Sequence, residues 1–125
     1  MSFRWCWFAS EERFGAAAAI AEWPEASFEK LELDERTAVV ALTHASHIDD
    51  EALTAALRSP CMYIGALGSR GTHAKRLERL AAAGFSAEEL QRIHAPIGLN
   101  IGAKGPAEIA VSILAEIIRV SRGVP

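Results

Sequence analysis

Cys61-Met62-Tyr63-Ile64-Gly65-Ala66-Leu67-Gly68-Ser69-Arg70-Gly71, continuing into Thr72–Ala83, reads as a strand, a tight turn and a helix. Cys61–Leu67 is short and apolar, as a strand covered on both faces should be. In the helix, Leu77, Leu80 and Ala81 recur at inward spacing, and Gly84 stops it. Upstream, Thr37–Thr43 is a second β-branched apolar run. Asp49 is then placed to cap a helix with Leu53, Ala56 and Leu57 on its buried stripe and Pro60 beyond its end. Further back, Phe3, Trp5 and Trp7 alternate with Arg4 and Cys6 at the period of a strand, and Ser10 opens a helix that Pro24 stops.

Downstream, Ser86 and Glu89 form a capping box, with Phe85 and Leu90 at the hydrophobic-staple positions. Ile97, Leu99 and Ile101 alternate around Gly98 and Gly102, as in a short strand or an extended loop. Gly105 at the N-cap, Pro106 at N1 and Glu108 at N3 open a last helix, which Gly123 ends. Its apolar face holds Ile109, Ile113, Leu114, Ile117 and Ile118. Strand and helix alternate throughout, which predicts an α/β fold with a mostly parallel sheet.

At 125 residues the chain is one domain's worth, and half of its residues are apolar, enough for a single core. With 13 basic and 16 acidic side chains, net charge −3, it offers no footprint for nucleic acid or an anionic membrane. No apolar run is long enough to span a bilayer, and Met1–Ser10 is too short and aromatic for a signal peptide, so the expected location is the cytoplasm. There Cys6 and Cys61 are reduced thiols acting as small hydrophobes.

Ligands in open α/β sheets bind beyond the carboxyl ends of the strands, and three turns fall there. In Gly65–Gly71, glycines permit close approach of backbone to an anion, Ser69 adds a hydroxyl and Arg70 a fork of donors suited to phosphate. The alternative is a plain tight turn with Arg70 as a solvated charge. In Thr43–Asp49, His44 is placed to bond a ligand group or shuttle a proton, or only to cap or pack. His44 and His47 suggest a metal pair, but no third ligand has suitable spacing, and no metal site is expected. In His94–Pro106, Gly98, Gly102 and Lys104 precede a helix N-terminus that is a second anion site, or else the loop merely positions that helix.

Tyr63-Ile64-Gly65-Ala66-Leu67-Gly68-Ser69-Arg70, with Thr72-His73 and Arg76-Leu77 after it, resembles a segment of the XdhC/CoxI family. His94–Leu99, Ile101-Gly102-Ala103 and Pro106–Ile113 are similar to that family's glycine-rich loop and following helix, and Thr43-His44 with Asp49 to its T-H-x-x-x-x-D element. The resemblance runs from Thr37 to Ile118. It implies a Rossmann-like, three-layer α/β domain and an accessory protein rather than an enzyme. Such a protein binds the molybdenum cofactor (molybdopterin) and delivers it to a molybdenum hydroxylase of the xanthine dehydrogenase type, with a sulfurtransferase as a further partner. His44, Gly65, Gly68, Ser69, Arg70, Gly98, Gly102 and Lys104 are the cofactor-binding candidates it implies, with no catalytic residue among them.

Residues 1–125 then form a single, truncated domain, for the family's first strand and its G-x-G-x-x-G turn are not in this chain. Asn100 stands where an Asp is usual, and Gly105 where a Thr or Ser would cap the helix. The missing G-x-G-x-x-G, with no acidic ribose ligand after it, argues against the competing reading of a nicotinamide-dependent oxidoreductase. A third reading is a protein-interaction module of the same family that binds no cofactor. If Phe3–Phe8, Thr37–Thr43 and Cys61–Leu67 are strands two, three and four of a 3-2-1-4 sheet, the central strand is missing. Either the remaining strands then pair directly, or a second copy of the chain fills the gap. A homodimer burying Trp5 and Trp7 is the expectation.

Overall fold

Val39 and Val40, β-branched and flanked by small alanines, sit in β1 (Ala38–Ala41), and the wholly buried Tyr63-Ile64-Gly65-Ala66 is β2. The computed structural model describes residues 31–43 and 45–125. The chain divides into two compact units, residues 1–32 and 33–125, and the described residues belong almost wholly to the second. The strand expected at Phe3–Phe8, the helix expected from Ser10, Trp5, Trp7, Cys6 and His44 lie outside the described residues.

In order, the elements are β1, α1 (Ser46–Leu57), β2, α2 (Arg70–Ala82), α3 (Ala87–Leu90), β3 (Ile93–His94) and α4 (Gly105–Ser121). All described strand pairs are parallel, in the order β1-β2-β3, with Ala38 opposite Tyr63, Ala41 opposite Ala66 and Ile64 opposite Ile93. The alternating α/β pattern is therefore present, and it is Rossmann-like. The strand assignment needs correction. Strands three and four of a 3-2-1-4 sheet are kept apart by two others, yet β1 and β2 are direct neighbours. Thr37–Thr43 and Cys61–Leu67 are thus consecutive strands on one side of the switch point, and no gap separates them.

Side chains alternate across a strand, so Tyr63 and Gly65 face one side of the sheet and Ile64 and Ala66 the other. The first side meets α4, since the Tyr63 hydroxyl donates to Glu116. On the other, Ile64 and Ala66 lie beside their register partners Val39 and Ala41, and all four are buried. α1 packs on β1, β2 and α2, and its Leu53, Ala56 and Leu57 are in the core as the spacing implies.

Several boundaries differ from the sequence reading. Asp49 does not cap α1, which starts at Ser46 behind Ala45. Its buried carboxylate instead accepts from the Thr43 N–H at 3.3 Å and the Thr43 hydroxyl at 2.7 Å, tying the end of β1 to the helix. Ala81 is exposed, and the inward stripe of α2 takes Arg76. The strand after α3 is Ile93–His94, and Ile97–Ile101 is loop, with Gly98 at φ +89°. α4 begins at Gly105, one residue earlier than expected, behind Lys104. The Ser86–Glu89 capping box forms as read. Among the described residues no helix is long and apolar enough to cross a membrane.

Candidate functional site

The carboxyl ends of β1 and β2 lie together because the strands are parallel; the Leu67 N–H donates to the Ala41 carbonyl at 2.9 Å just beyond both. From this edge Gly68 turns the chain with φ +139°. The Ser69 side chain then caps α2, accepting the Thr72 N–H at 3.2 Å. Arg70 and Gly71, in the first helical turn, have N–H groups with no intrahelical acceptor, and the Arg70 side chain is exposed.

Arg70 lines a cleft of about 470 Å³ whose wall is the loop from Pro96 to Ala103, with Leu67, Ile109 and Ser112 completing it. That size falls in the range of small-molecule sites, roughly 300–1,000 Å³. Of the candidate residues, Arg70, Gly98 and Gly102 share this cleft. Lys104 is exposed at the N-cap of α4, two residues past Gly102. Gly65, Gly68 and Ser69 do not line the cleft. Gly65 faces the loop for a packing reason: a Cβ there would stand 2.6 Å from Ile97 Cδ1 and 2.7 Å from Tyr63 Cε1. A side chain at Gly98 would run into the Ser112 hydroxyl.

Two charged residues missing from the sequence-derived candidates shape this site. Glu116 lies on the buried face of α4 with its side chain 8% exposed. Its Oε1 accepts the Tyr63 hydroxyl at 2.5 Å and the Gly98 N–H at 3.1 Å. His94 stacks on Tyr63 with centroids 4.7 Å apart and brings Nδ1 to 3.8 Å from the same oxygen. Burial, then the bond to Glu116, pushes the Tyr63 hydroxyl well above its usual range, so it stays a donor. The peptide bond between Ala95 and Pro96 in this loop is cis.

Arg76 is the second. It is 3% exposed, donates to the Leu67 carbonyl at 3.0 Å and to His73 Nδ1 at 3.1 Å, and its Nε–H has no acceptor. Among the described residues no carboxylate forms an ion pair with it. Its guanidinium lies against the turn, 3.7 Å from where a Cβ on Gly68 would stand. A buried cation without a counter-charge is costly, and this one sits under the backbone beside Arg70. Burial, then the neighbouring Arg76, holds the His73 imidazole below its usual pKa. The signal for both residues was in the sequence. Arg76 falls in the His73-Arg76-Leu77-Leu80 stripe and Glu116 in the Ile109-Ser112-Ile113-Glu116 stripe, each a charge at an inward helical position.

Among the described residues, no three His, Cys, Asp or Glu side chains converge to hold a metal ion. A second hollow of about 510 Å³ lies along α2 and α3, lined by residues such as Leu77, Ala87 and Leu90. Neither Arg nor Lys lines it, so it offers no cation to an anionic ligand.

A family model described as the XdhC Rossmann domain matches residues 1–117. Among curated proteins, the chain is 40% identical over 93 residues to the uncharacterized protein YqeB of Escherichia coli, covering 74% of this chain and 17% of that protein. It is 39% identical over 89 residues to the molybdenum cofactor insertion chaperone PaoD of E. coli, covering 71% of this chain and 28% of that one. A crystal structure of a xanthine dehydrogenase from Bacillus halodurans superposes with a TM-score of 0.73 at 31% identity, over 92% of this chain and 32% of the other. The chain thus spans between 17% and 32% of the length of these relatives. With residues 1–117 of its 125 matching that model, this chain belongs to the XdhC Rossmann domain family.

Proposed function

We propose that the protein binds the molybdenum cofactor and delivers it to a molybdenum hydroxylase of the xanthine dehydrogenase type, in the cytoplasm and as a homodimer. A sulfurtransferase is the proposed partner for sulfuration of the metal. The observation that carries this reading is the meeting of Arg70 with the Gly98–Gly102 loop in one cleft at the strands' carboxyl ends. The donors there suit a phosphate-bearing pterin. Arg70 supplies a guanidinium and a helix-start N–H, Gly71 a second such N–H next in sequence, and Arg76, which has no carboxylate partner among the described residues, adds positive charge behind the turn. The apolar wall of Ile97, Leu99 and Ile109 suits a flat ring system, and the Asn100 amide offers donors and acceptors to its edge. Lys104 and His44 are proposed as further cofactor contacts. The bound cofactor would supply the oxygen-transfer and redox chemistry of the recipient enzyme; this chain's residues hold it and screen it from water. The likeness to the molybdenum cofactor insertion chaperone PaoD supports the reading.

Titrating the purified protein with molybdenum cofactor released from a molybdenum enzyme tests it. Arg70→Ala should weaken binding by about 1.5–3 kcal/mol, the worth of a hydrogen bond to a charged group. Unchanged affinity would remove Arg70 from the site. Failure of the unaltered protein to retain any cofactor would leave the interaction-module reading instead.

A further inference from the structure

α4 is apolar on two opposite faces. Ser112, Ile113 and Glu116 are buried, while Val111, Leu114 and Ile118 are 59%, 60% and 59% exposed. Helices that are apolar all round are normally covered all round. The exposed residues have a pattern of their own. Ala107, Val111, Leu114, Ile118 and Ser121 follow one another at alternating spacings of four and three, the repeat of the seam between two supercoiled helices. None of Val111, Leu114 and Ile118 lines the cleft beside Arg70.

Charge on the flanks of this seam selects the occupant. Glu108 stands at its amino-terminal end and Arg122 at its carboxyl-terminal end, in equivalent flanking positions of the repeat. Ala115 lies halfway between Glu108 and Arg122, and Glu116 halfway between Leu114 and Ile118, so a twofold axis near Ala115 serves both sets. About that axis an antiparallel copy of α4 packs its Leu114 and Ile118 against Ile118 and Leu114 of the first. It also brings each Glu108 to the other copy's Arg122. A parallel copy would instead face Arg122 with Ile117 of its partner and leave Glu108 without a basic partner. One Glu108 oxygen already accepts the Lys104 N–H at 3.0 Å, which leaves the other for the pair.

We infer that the exposed seam of α4 is an isologous interface, occupied by α4 of a second copy of this chain running antiparallel. The inference rests on the homodimer reading and assigns it to this helix.

Sedimentation of the full chain at about 50 µM, a concentration suited to a micromolar complex, should give twice the 13.5 kDa of one chain. Leu114→Glu with Ile118→Glu should give monomers of unchanged circular dichroism. The charge pairs supply a sharper check. Glu108→Arg or Arg122→Glu alone should weaken dimerisation roughly tenfold at low salt, and the two together should restore it, because the pairs are merely exchanged. A chain monomeric at that concentration overturns the second copy as occupant and the homodimer with it. A dimer indifferent to the two glutamates overturns the surface alone. Loss without rescue in the charge swap overturns the antiparallel arrangement.

Discussion

The turn after β2 and the loop after β3 are both rich in glycine and both lead into a helix, but they are held in different ways. Gly68–Arg70 is shaped mostly by its neighbours in sequence: Gly68 takes a positive φ, and Ser69 caps the helix through a bond spanning three residues. Pro96–Gly102 is held from a distance. Glu116 grips the Gly98 N–H from three turns into α4, the Ser112 carbonyl accepts the Leu99 N–H, and Tyr63 on β2 shares the same carboxylate. The first is a local device and the second a tertiary one. A cleft with one wall of each kind sets Arg70, on a turn built locally, facing a wall whose position depends on one buried carboxylate.

The largest expected effect breaks the tertiary wall. Glu116→Ala leaves the Tyr63 hydroxyl, on a residue 1% exposed, and the Gly98 N–H without their acceptor. Each buried unpaired group costs about 1–3 kcal/mol, so the variant should lose about 3 kcal/mol in urea unfolding. Glu116→Gln keeps an acceptor oxygen and should lose about 1 kcal/mol, the difference between a charged and a neutral acceptor. Equal, small losses in both variants would show that packing rather than this carboxylate holds the loop.

A smaller effect separates glycines inside that wall. Gly98 and Gly102 both hold positive φ, +89° and +74°, so alanine is strained at either, by about 1 kcal/mol. They differ in what lies beyond. A Cβ at Gly102 meets nothing within 4 Å, whereas at Gly98 it meets the Ser112 side chain and, at 3.2 Å, its carbonyl carbon. Gly98→Ala should therefore cost about 1–3 kcal/mol more than Gly102→Ala in the same unfolding assay, the usual penalty of overpacking. Equal costs would mean that the loop moves freely away from α4.

This division also explains what could be read from the chain. The α/β alternation, the buried stripe of α1, the Ser86–Glu89 box and the turn at Gly68 rest on signals within a few residues, and all were legible. The Asp49 cap was misplaced because a first-turn carboxylate has two uses, and its reach back to Thr43 depends on where β1 ends. The strand order was misassigned because apolar runs carry no label for their neighbours; β1 beside β2 is a tertiary fact. Gly65 looked like part of an anion loop, but its lack of a side chain makes room for Ile97, thirty-two positions on in the sequence. Arg76 and Glu116 were visible as charges in apolar stripes, and spacing on the helix accounts for His73 beside Arg76 and Arg119 beside Glu116. Their other partners, the Leu67 carbonyl, the Tyr63 hydroxyl and the Gly98 amide, are supplied by no spacing rule.

The smallest expected effect sharpens the comparison by probing the buried Arg76, which reaches back from α2 to the Leu67 carbonyl under the first turn. Arg76 Nη1 donates to His73 Nδ1 at 3.1 Å, so that nitrogen carries a lone pair and the neutral ring keeps its proton on Nε2. Protonating Nδ1 would set two N–H groups against each other and put a second cation beside Arg76. Burial, and then that repulsion, hold the folded-state pKa below the ordinary value of 6.5. As pH falls through 6.5, the unfolded chain takes up the proton before the folded one does. Stability from His73 is therefore complete above that pH and is lost between 6.5 and the depressed value. His73→Gln cannot titrate and retains an acceptor for Arg76. The urea midpoint of the unaltered protein should thus drop more than that of His73→Gln between pH 7.5 and pH 5.5, by less than either preceding effect. Parallel declines would mean that His73 is as readily protonated in the fold as out of it, and that the turn is local on every side.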